Sequence, residues 1–203
     1  MNVLDWARQV RAIAQNGLVF TRDPFDRERY EKLQALADSI VADELHLTLE
    51  QVGALWKYDE GYITPKVDVR GCVFREDAIL LVRERSDGRW SLPGGWVDVN
   101  DSPSGAVERE ILEESGLRCR ATKLAALYDK QRHPHPPSIH HIYKLLFLCE
   151  LLGGEPTLST ETDGVDFFRL EALPELSEGR VTRGQIARMF EHQRDRSLAT
   201  DFD

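Results

Sequence analysis

The sequence has few of the residues that cross-link secreted proteins and no segment suited to a membrane. Its 203 residues include three cysteines, which are widely spaced and set in apolar runs. An odd number of isolated thiols favours reduced, buried side chains over a disulfide framework or a zinc site. No run approaches about eighteen consecutive apolar residues, the length of a membrane helix, and the amphipathic N-terminus does not resemble a signal peptide. We therefore expect a soluble, cytoplasmic protein with no membrane partner.

Positive charge is also scarce. The chain has 26 lysines and arginines against 35 aspartates and glutamates, a formal net charge of -9. Such a balance disfavours broad electrostatic binding to nucleic acid, although a local basic groove stays compatible with it. An anionic substrate would need a cation to bridge it to this protein.

The first part of the chain has helical periodicity. An apolar stripe from residue 4 to residue 14 predicts a helix that stops at Gly17. Asp23 and Pro24 form a typical helix start, and Thr48 with Gln51 forms a capping box for a third helix. We predict an all-helical N-terminal domain over residues 1–62 that serves as an accessory unit and dimer contact.

From Lys66 the apolar period changes to two, which indicates β-strands. The predicted strands cover residues 66–73, 78–82, 119–128, 139–152 and 165–170, and a last helix covers residues 182–194. We predict an α+β fold with a second, catalytic domain over residues 66–203.

The stretch between the second and third of these strands combines a glycine turn with a helix rich in carboxylates. Ser102 with Pro103 starts this helix and Gly116 ends it, which places it over residues 103–115. Three glutamates, Glu110, Glu113 and Glu114, return to one face within an arc of about 100°.

Like charges at this spacing repel, so the cluster is either a solvated helix face or a set of oxygen ligands for divalent cations. The neighbouring Gly94 and Gly95 allow a close backbone approach and can offer a carbonyl oxygen as a further hard ligand. Mg²⁺ or Mn²⁺ suits such an all-oxygen site and would provide the cation that an acidic protein needs to hold phosphates.

The spacing of these residues resembles the Nudix box. Gly95, five residues, Asp101, seven residues and then "REILEESGL" follow that pattern, except that Asp101 stands where the family has glutamate. The resemblance implies the Nudix fold, a mixed β-sheet sandwiched between α-helices, and hydrolysis of a nucleoside diphosphate linked to another group X.

Residue roles carried over from the family follow this motif. The carbonyl of Gly94 with Glu110, Glu113 and Glu114 would hold the metals. The positions implied to be structural are Gly95, Asp101, Arg109 and Gly116, with Arg109 orienting the loop and helix.

In many family members a further glutamate late in the domain helps to activate water. Glu161 is our choice for this base, with Asp163 as its neighbour and an ordinary acidic turn as the alternative reading. Glu113 or Glu114 could take the role instead, because a carboxylate serves either as ligand or as proton acceptor.

The remaining segments resemble the Nudix branch with a small N-terminal helical domain, among them bacterial CDP-choline pyrophosphatases. That branch implies a homodimer and a small-molecule nucleotide substrate, CDP-choline or a similar NDP-linked alcohol first and ADP-ribose next. An RNA-end or RNA-chain hydrolase and a non-catalytic ligand-sensing module are the alternatives.

Four of the six histidines lie in the loop of residues 130–141. A transition-metal site is one reading, but the absence of regular zinc spacing favours a loop that contacts phosphate or base. The proposed substrate contacts are Arg83, Trp96, His141 and Tyr143. Arg83 and Tyr143 could equally make cross-strand pairs, and Trp96 could pack the loop instead of stacking on a base.

Overall fold

The computed structural model describes residues 2–56 and 61–203, which divide into two compact units. The helical unit consists of the described residues up to Pro65 together with Pro137–His141. The sheet unit consists of Lys66–Pro136 and Ile142–Asp203. The part of the predicted helical domain at residues 57–60 lies outside the described residues.

The helical unit is built from three helices. They are α1 (Val3–Phe20), α2 (Pro24–Leu45) and α3 (Leu49–Leu55). Each begins at a side chain that accepts hydrogen bonds from the first-turn N–H groups, and for α2 and α3 these are the predicted Asp23 and Thr48. Their common core includes Leu4, Val41, Val52, Trp56 and Ile139.

The prediction that α1 stops at Gly17 is wrong. The helix continues to Phe20 and is capped at Thr21, whose N–H donates to the Gly17 carbonyl at 2.9 Å. A Cβ at Gly17 would lie 2.4 Å from the ring of Tyr30 on α2. This glycine therefore permits a close approach of two helices and does not terminate one.

The sheet unit contains seven strands in one mixed sheet. The strands are β1 (Lys66–Arg75), β2 (Ala78–Glu84), β3 (Trp90–Ser91), β4 (Leu117–Asp129), β5 (Ile142–Gly154), β6 (Thr162–Phe168) and β7 (Asp201–Phe202). Their order is β3-β2-β1-β5-β4-β7, with β6 paired to β2. β1 runs parallel to β5 and antiparallel to β2, so the two halves of the sheet join at β1.

A helix covers each side of this sheet. Helix α4 (Pro103–Ser115) buries Ala106, Val107 and Ile111 in one core, and helix α5 (Arg183–Arg194) buries Ile186 and Met189 in another. The α+β prediction, a mixed sheet between helices with a helical segment before it in sequence, is confirmed.

The sheet differs from the sequence prediction in the limits of its strands and in two short strands. The last predicted strand, residues 165–170, corresponds to β6 over Thr162–Phe168. β5 begins at Ile142 and not at Ile139, because Ile139 is buried in the core of the helical unit. The two-residue strands β3 and β7 were not predicted, since only pairing with distant partners defines them. Among the described helices, none is long and apolar enough to cross a bilayer, and all three cysteines are free and buried.

Candidate active site

Helix α4 carries the three glutamates, and local chemistry fixes both of its ends. Ser102 accepts a hydrogen bond from the N–H of Gly105 at 3.1 Å, and Pro103 occupies a first-turn position that needs no donor. Gly116 follows the last turn with a φ of 74°, a left-handed conformation that favours glycine. The helix therefore occupies the span predicted from the sequence.

The packing of α4 against β1 sets how close its glutamates come to the sheet. Ala106, Val107 and Ile111 are fully buried. On β1, a Cβ at Gly71 would lie 2.3 Å from Cδ1 of Ile111. Glycine at this position lets the helix lie directly on the strand, which brings its carboxylates to the adjoining loop.

That loop, Pro93 to Gly95, pairs with β1. The carbonyls of Pro93 and Gly95 accept hydrogen bonds from the N–H groups of Gly71 at 2.8 Å and Val69 at 2.9 Å. Gly94, between them, has a φ of 140°, and a Cβ there would lie 2.0 Å from the Val69 carbonyl oxygen. Only glycine fits this position.

Two glutamates of α4 meet the two glycines of this loop. The N–H of Gly94 donates to Oε2 of Glu114 at 2.8 Å. A Cβ at Gly95 would lie 2.9 Å from Oε2 of Glu110, so that carboxylate rests against the Gly95 backbone. The glycine turn and the helix thus form one site, which we call the glycine–glutamate site.

The innermost carboxylate is buried and has a raised pKa. Glu114 is 6% exposed. Burial raises the pKa of Glu114 to about 7; the charge of Arg70 and the Gly94 N–H oppose this shift, and the charges of Glu84 and Glu110 add to it. Any cation that enters the site would be stabilised by the carboxylates of Glu84, Glu110 and Glu114.

Arg109 ties the outer glutamates to the loop. Its guanidinium donates to Oε1 of Glu110 at 2.9 Å, to Oε2 of Glu113 at 3.1 Å and to Oδ2 of Asp101 at 3.3 Å. Burial still raises the pKa of Glu110 despite this arginine, whereas the Glu113 side chain is mostly exposed. The side chain of Asp101 reaches Arg109 although it is one methylene shorter than the glutamate of the family pattern.

Comparison with known proteins identifies the family. Residues 64–190 match the model described as the NUDIX domain, and residues 1–56 match one described as a UDP-X-like, N-terminal oligomerisation domain. The chain belongs to the Nudix hydrolase family. The prediction of a hydrolase with this fold is confirmed.

Two relatives match almost the whole length of this Nudix hydrolase, and a third matches about two thirds of it. YjhB of Bacillus subtilis (strain 168), whose assignment as an ADP-ribose pyrophosphatase is provisional, is 44% identical over 98% of the chain and 96% of its own length. A crystal structure of a UDP-X diphosphatase is 33% identical, with a TM-score of 0.65 and 100% of both chains covered. The crystal structure of an ADP-ribose pyrophosphatase from Streptococcus suis 89-1591 is 44% identical, with a TM-score of 0.65, over 69% of this chain and all of that one.

The groups at the glycine–glutamate site that could bind a metal all present oxygen atoms. Carboxylates of α4 and the backbone of the glycine loop suit hard divalent ions such as Mg²⁺ or Mn²⁺. Among the described residues, no three side chains of histidine, cysteine, aspartate or glutamate already stand together as a metal-binding group. In this structure Arg109 donates hydrogen bonds to Glu110 and Glu113. The oxygen donors and the buried carboxylate of Glu114 nevertheless fit a divalent cation.

The predicted substrate contacts on the sheet lie apart along the chain and have protein partners. Arg83 on β2 forms an ion pair with Asp163 at 2.6 Å and lies over the ring of Trp90 at 5.9 Å. Trp96 is half exposed and pairs by a backbone bridge with Asp68 on β1.

Tyr143, Glu161 and His141 complete the predicted set. Tyr143 lies in β5, opposite Val67, with its side chain partly exposed. Glu161 is exposed in the turn before β6, and its carbonyl accepts from the N–H of Arg85 at 2.9 Å. His141 belongs to the helical unit, whereas the other predicted contacts belong to the sheet unit.

The four loop histidines do not form a metal site among the described residues. His133 faces the carboxylate of Asp203 at 3.2 Å, and Nδ1 of His135 lies 2.6 Å from the Glu178 carbonyl. His140 belongs to the helical unit, where it packs edge-on against Trp56.

Sequence reasoning missed a set of buried charged residues beside the site. They are Asp68, Arg70, Glu84 and Lys144, each at most 6% exposed. Burial raises the pKa of Glu84, and the charges of Arg70 and Arg180 oppose that shift. In the sequence Asp68 and Arg70 alternate with valines, a pattern that ordinarily marks the solvent face of a strand. The sequence offered one indication of their role, which is that they lie in predicted strands close to the Nudix motif.

Proposed function

We propose that this Nudix hydrolase cleaves the diphosphate bond of nucleoside diphosphates linked to a group X, in a reaction that depends on a divalent metal. Water adds to one phosphorus, the bridging phosphorus–oxygen bond breaks, and the products are a nucleoside monophosphate and X-phosphate. The observation that carries this proposal is the glycine–glutamate site, where the buried Glu114 carboxylate accepts from the Gly94 N–H at 2.8 Å and the Glu110 carboxylate lies against Gly95.

The metal would be held by the glycine–glutamate site. The proposed ligands are Glu110, Glu113, Glu114 and the carbonyl of Gly94. Mg²⁺ or Mn²⁺ bound there would neutralise the diphosphate and make a water more acidic. Arg109 and Asp101 would keep the loop and the helix in register.

The proposed base is Glu161. Burial raises the pKa of Glu84 on β2, and the charge of Glu161 adds to this shift. Its rival Asp163 is occupied by its ion pair with Arg83. Glu113 and Glu114 remain alternatives, since either carboxylate could accept the proton of the attacking water.

For the substrate, the relatives favour ADP-ribose and UDP-linked compounds. Two of the proteins described above are named for ADP-ribose, one of them provisionally, and a third for UDP-X. CDP-choline rests on the sequence resemblance alone. The contacts proposed to select among them are Arg83, Trp96, His141 and Tyr143.

The proposal includes a homodimer formed through the helical unit and a cytoplasmic location. Trp6, Ile13 and Phe20 follow one face of α1 at seven-residue spacing and are 57%, 63% and 71% exposed. An apolar seam of this kind is typical of helices that pair with another helix. The family model for this segment is described as an oligomerisation domain, and the free cysteines are compatible with a reducing compartment.

A substrate panel tests the proposed activity. It comprises ADP-ribose, UDP-sugars, CDP-choline, dinucleoside polyphosphates, nucleoside triphosphates and 5′-triphosphorylated RNA, each with Mg²⁺, Mn²⁺ or EDTA, with products identified by mass. We expect a nucleoside monophosphate and X-phosphate from at least one NDP-X and no turnover in EDTA. A folded protein that turns over no member of the panel would overturn the proposal.

A further inference from the structure

A buried cluster of three charged side chains lies behind the glycine loop, on strands β1 and β5. The parallel register places Asp68 opposite Lys144, and Arg70 lies two residues along β1. Arg70 donates from Nε and Nη2 to the two carboxylate oxygens of Asp68, at 3.1 and 2.7 Å, and Lys144 donates to the same carboxylate. The cluster therefore encloses two cations and one anion.

Enclosed charge of one sign requires a partner of the opposite sign nearby. Burial raises the pKa values of Glu84, Glu110 and Glu114, and the charge of Arg70 opposes this rise in all three. Arg70 is thus a shared positive neighbour of the carboxylates at the active site.

The same guanidinium also holds the start of the glycine loop. Its Nη1 donates to the carbonyl of Leu92 at 3.0 Å and to Oγ of Ser91 at 3.2 Å. Leu92 directly precedes Pro93, and Gly94 carries the N–H that binds Glu114. Arg70 therefore links Asp68 on β1 with the backbone that presents the Gly94 donor.

We propose that Arg70 is a positioning residue of this enzyme, which fixes the Leu92–Gly95 loop so that the Gly94 N–H holds the Glu114 carboxylate in its place. Arginine suits this task because its planar fork reaches Asp68, Ser91 and Leu92 at once, which a lysine ammonium cannot do. The proposal deepens the proposed function and rests on it for the kinetic consequence, but not for the structural one.

The structural consequence can be measured on the full chain without metal or substrate. Hydrogen exchange of backbone amides, followed by NMR, would compare the wild type with Arg70→Met and Arg70→Lys. We expect the Gly94 amide to exchange about 10- to 100-fold faster in Arg70→Met, the factor that follows from losing hydrogen bonds to a charged group. The exchange rate of the Gly94 amide in Arg70→Lys should lie between those of the wild type and Arg70→Met. The matched control is Arg120→Met, which removes an exposed arginine paired with Glu150 at 2.6 Å and should leave Gly94 unchanged.

The kinetic consequence is a loss in kcat and not in KM. For Arg70→Met we expect kcat to fall about 100-fold, the cost of a small misplacement of catalytic groups. KM should stay near the wild-type value, and Arg70→Lys should recover part of the rate. A wild type inactive on every NDP-X would refute the proposed function, yet the exchange experiment would still decide the positioning role.

Two results would overturn the positioning role. One is a folded Arg70→Met protein with wild-type Gly94 exchange and wild-type kcat. The other is exchange that accelerates equally across β1 and β5, which would mean general loss of stability. If Arg70→Met does not fold, Arg70→Lys and Ser91→Ala decide, and unchanged Gly94 exchange in both would refute the proposal.

Discussion

Helix α1 of the helical unit presents a row of large apolar side chains to the surface, whereas the region around the glycine loop of the sheet unit encloses several charged side chains. Trp6, Ile13 and Phe20 are more than half exposed on α1, while Arg70 and Glu114 are buried beside the glycine loop. Exposed apolar surface is stabilised when another apolar surface covers it, and buried charge is stabilised by a counter-charge. We therefore propose a different partner for each departure from ordinary burial, a second protein surface for α1 and a cation for the glycine–glutamate site.

The largest effect is expected from Glu114→Gln, which removes a buried carboxylate charge from the glycine–glutamate site. We expect turnover to fall at least about 1,000-fold, because an electrostatic partner of the reacting groups is lost. The glutamine oxygen can still accept from the Gly94 N–H, and position 114 no longer buries a carboxylate charge. The metal-free variant should therefore unfold at or above the wild-type temperature at pH 8.

Steady-state kinetics and thermal unfolding together check this prediction. Glu150→Gln is the control, since Glu150 is an exposed carboxylate in the same unit and its loss should change neither quantity. Near-normal turnover by Glu114→Gln would remove this residue from the catalytic site.

A smaller loss of turnover is expected from Glu161→Gln. This variant compares the role of the exposed Glu161 carboxylate with that of the buried Glu114 carboxylate. General base catalysis contributes about 100-fold or more, so kcat should fall by at least that factor while the fold is kept. Asp163→Asn serves as the comparison within the same turn. An unchanged rate in Glu161→Gln would pass the role of base to Asp163 or to the glutamates of α4.

The sequence predicts the helix that carries the glutamates, but not the buried charged residues beside it. The limits of α4 follow from Ser102, Pro103 and Gly116, which act within a few residues, and the Nudix spacing is visible along the chain. Arg70 and Lys144 could not be found in this way, because their burial depends on a parallel pairing between strands that lie far apart in sequence. Gly17 was misread for the same reason, since its need for glycine comes from the Tyr30 ring.

The double variant Trp6→Glu, Ile13→Glu tests whether the exposed apolar face of α1 forms the dimer contact. Charges on the exposed seam of α1 should prevent apolar pairing, so light scattering should give the mass of a monomer where the wild type gives a dimer. Because Leu4, Ala7 and Ala14 form the buried face of α1, the helical content should not change.

Leu158→Glu is the matched control for this variant, because Leu158 is an equally exposed apolar residue of the sheet unit. It should leave the mass unchanged. A double variant that keeps the wild-type mass would show that α1 does not form the dimer contact.

The smallest expected effect concerns an ion pair that is neither fully exposed nor buried. Asp201 on β7 accepts from Arg188 at 2.6 and 2.8 Å and from Tyr128 at 3.1 Å. These hydrogen bonds, those from Arg188 foremost, hold the pKa of Asp201 well below its usual range. Since the folded-state pKa is lowered, the ionised carboxylate stabilises the fold above the unfolded pKa of about 3.9, and this stability is lost as the pH falls further.

Asp201→Asn should therefore lower the free energy of unfolding by about 1 kcal/mol at pH 7, a modest value because the pair is partly exposed to solvent. The gap between wild type and variant in urea unfolding should shrink as the pH is lowered from 5 towards 2. A gap that stays constant over this range would show that the charge of Asp201 does not stabilise β7, and that the amide makes equivalent hydrogen bonds. Turnover at pH 7 should be unchanged in either case, because Asp201 contacts Arg188, His192 and Tyr128 and none of the residues proposed for the glycine–glutamate site.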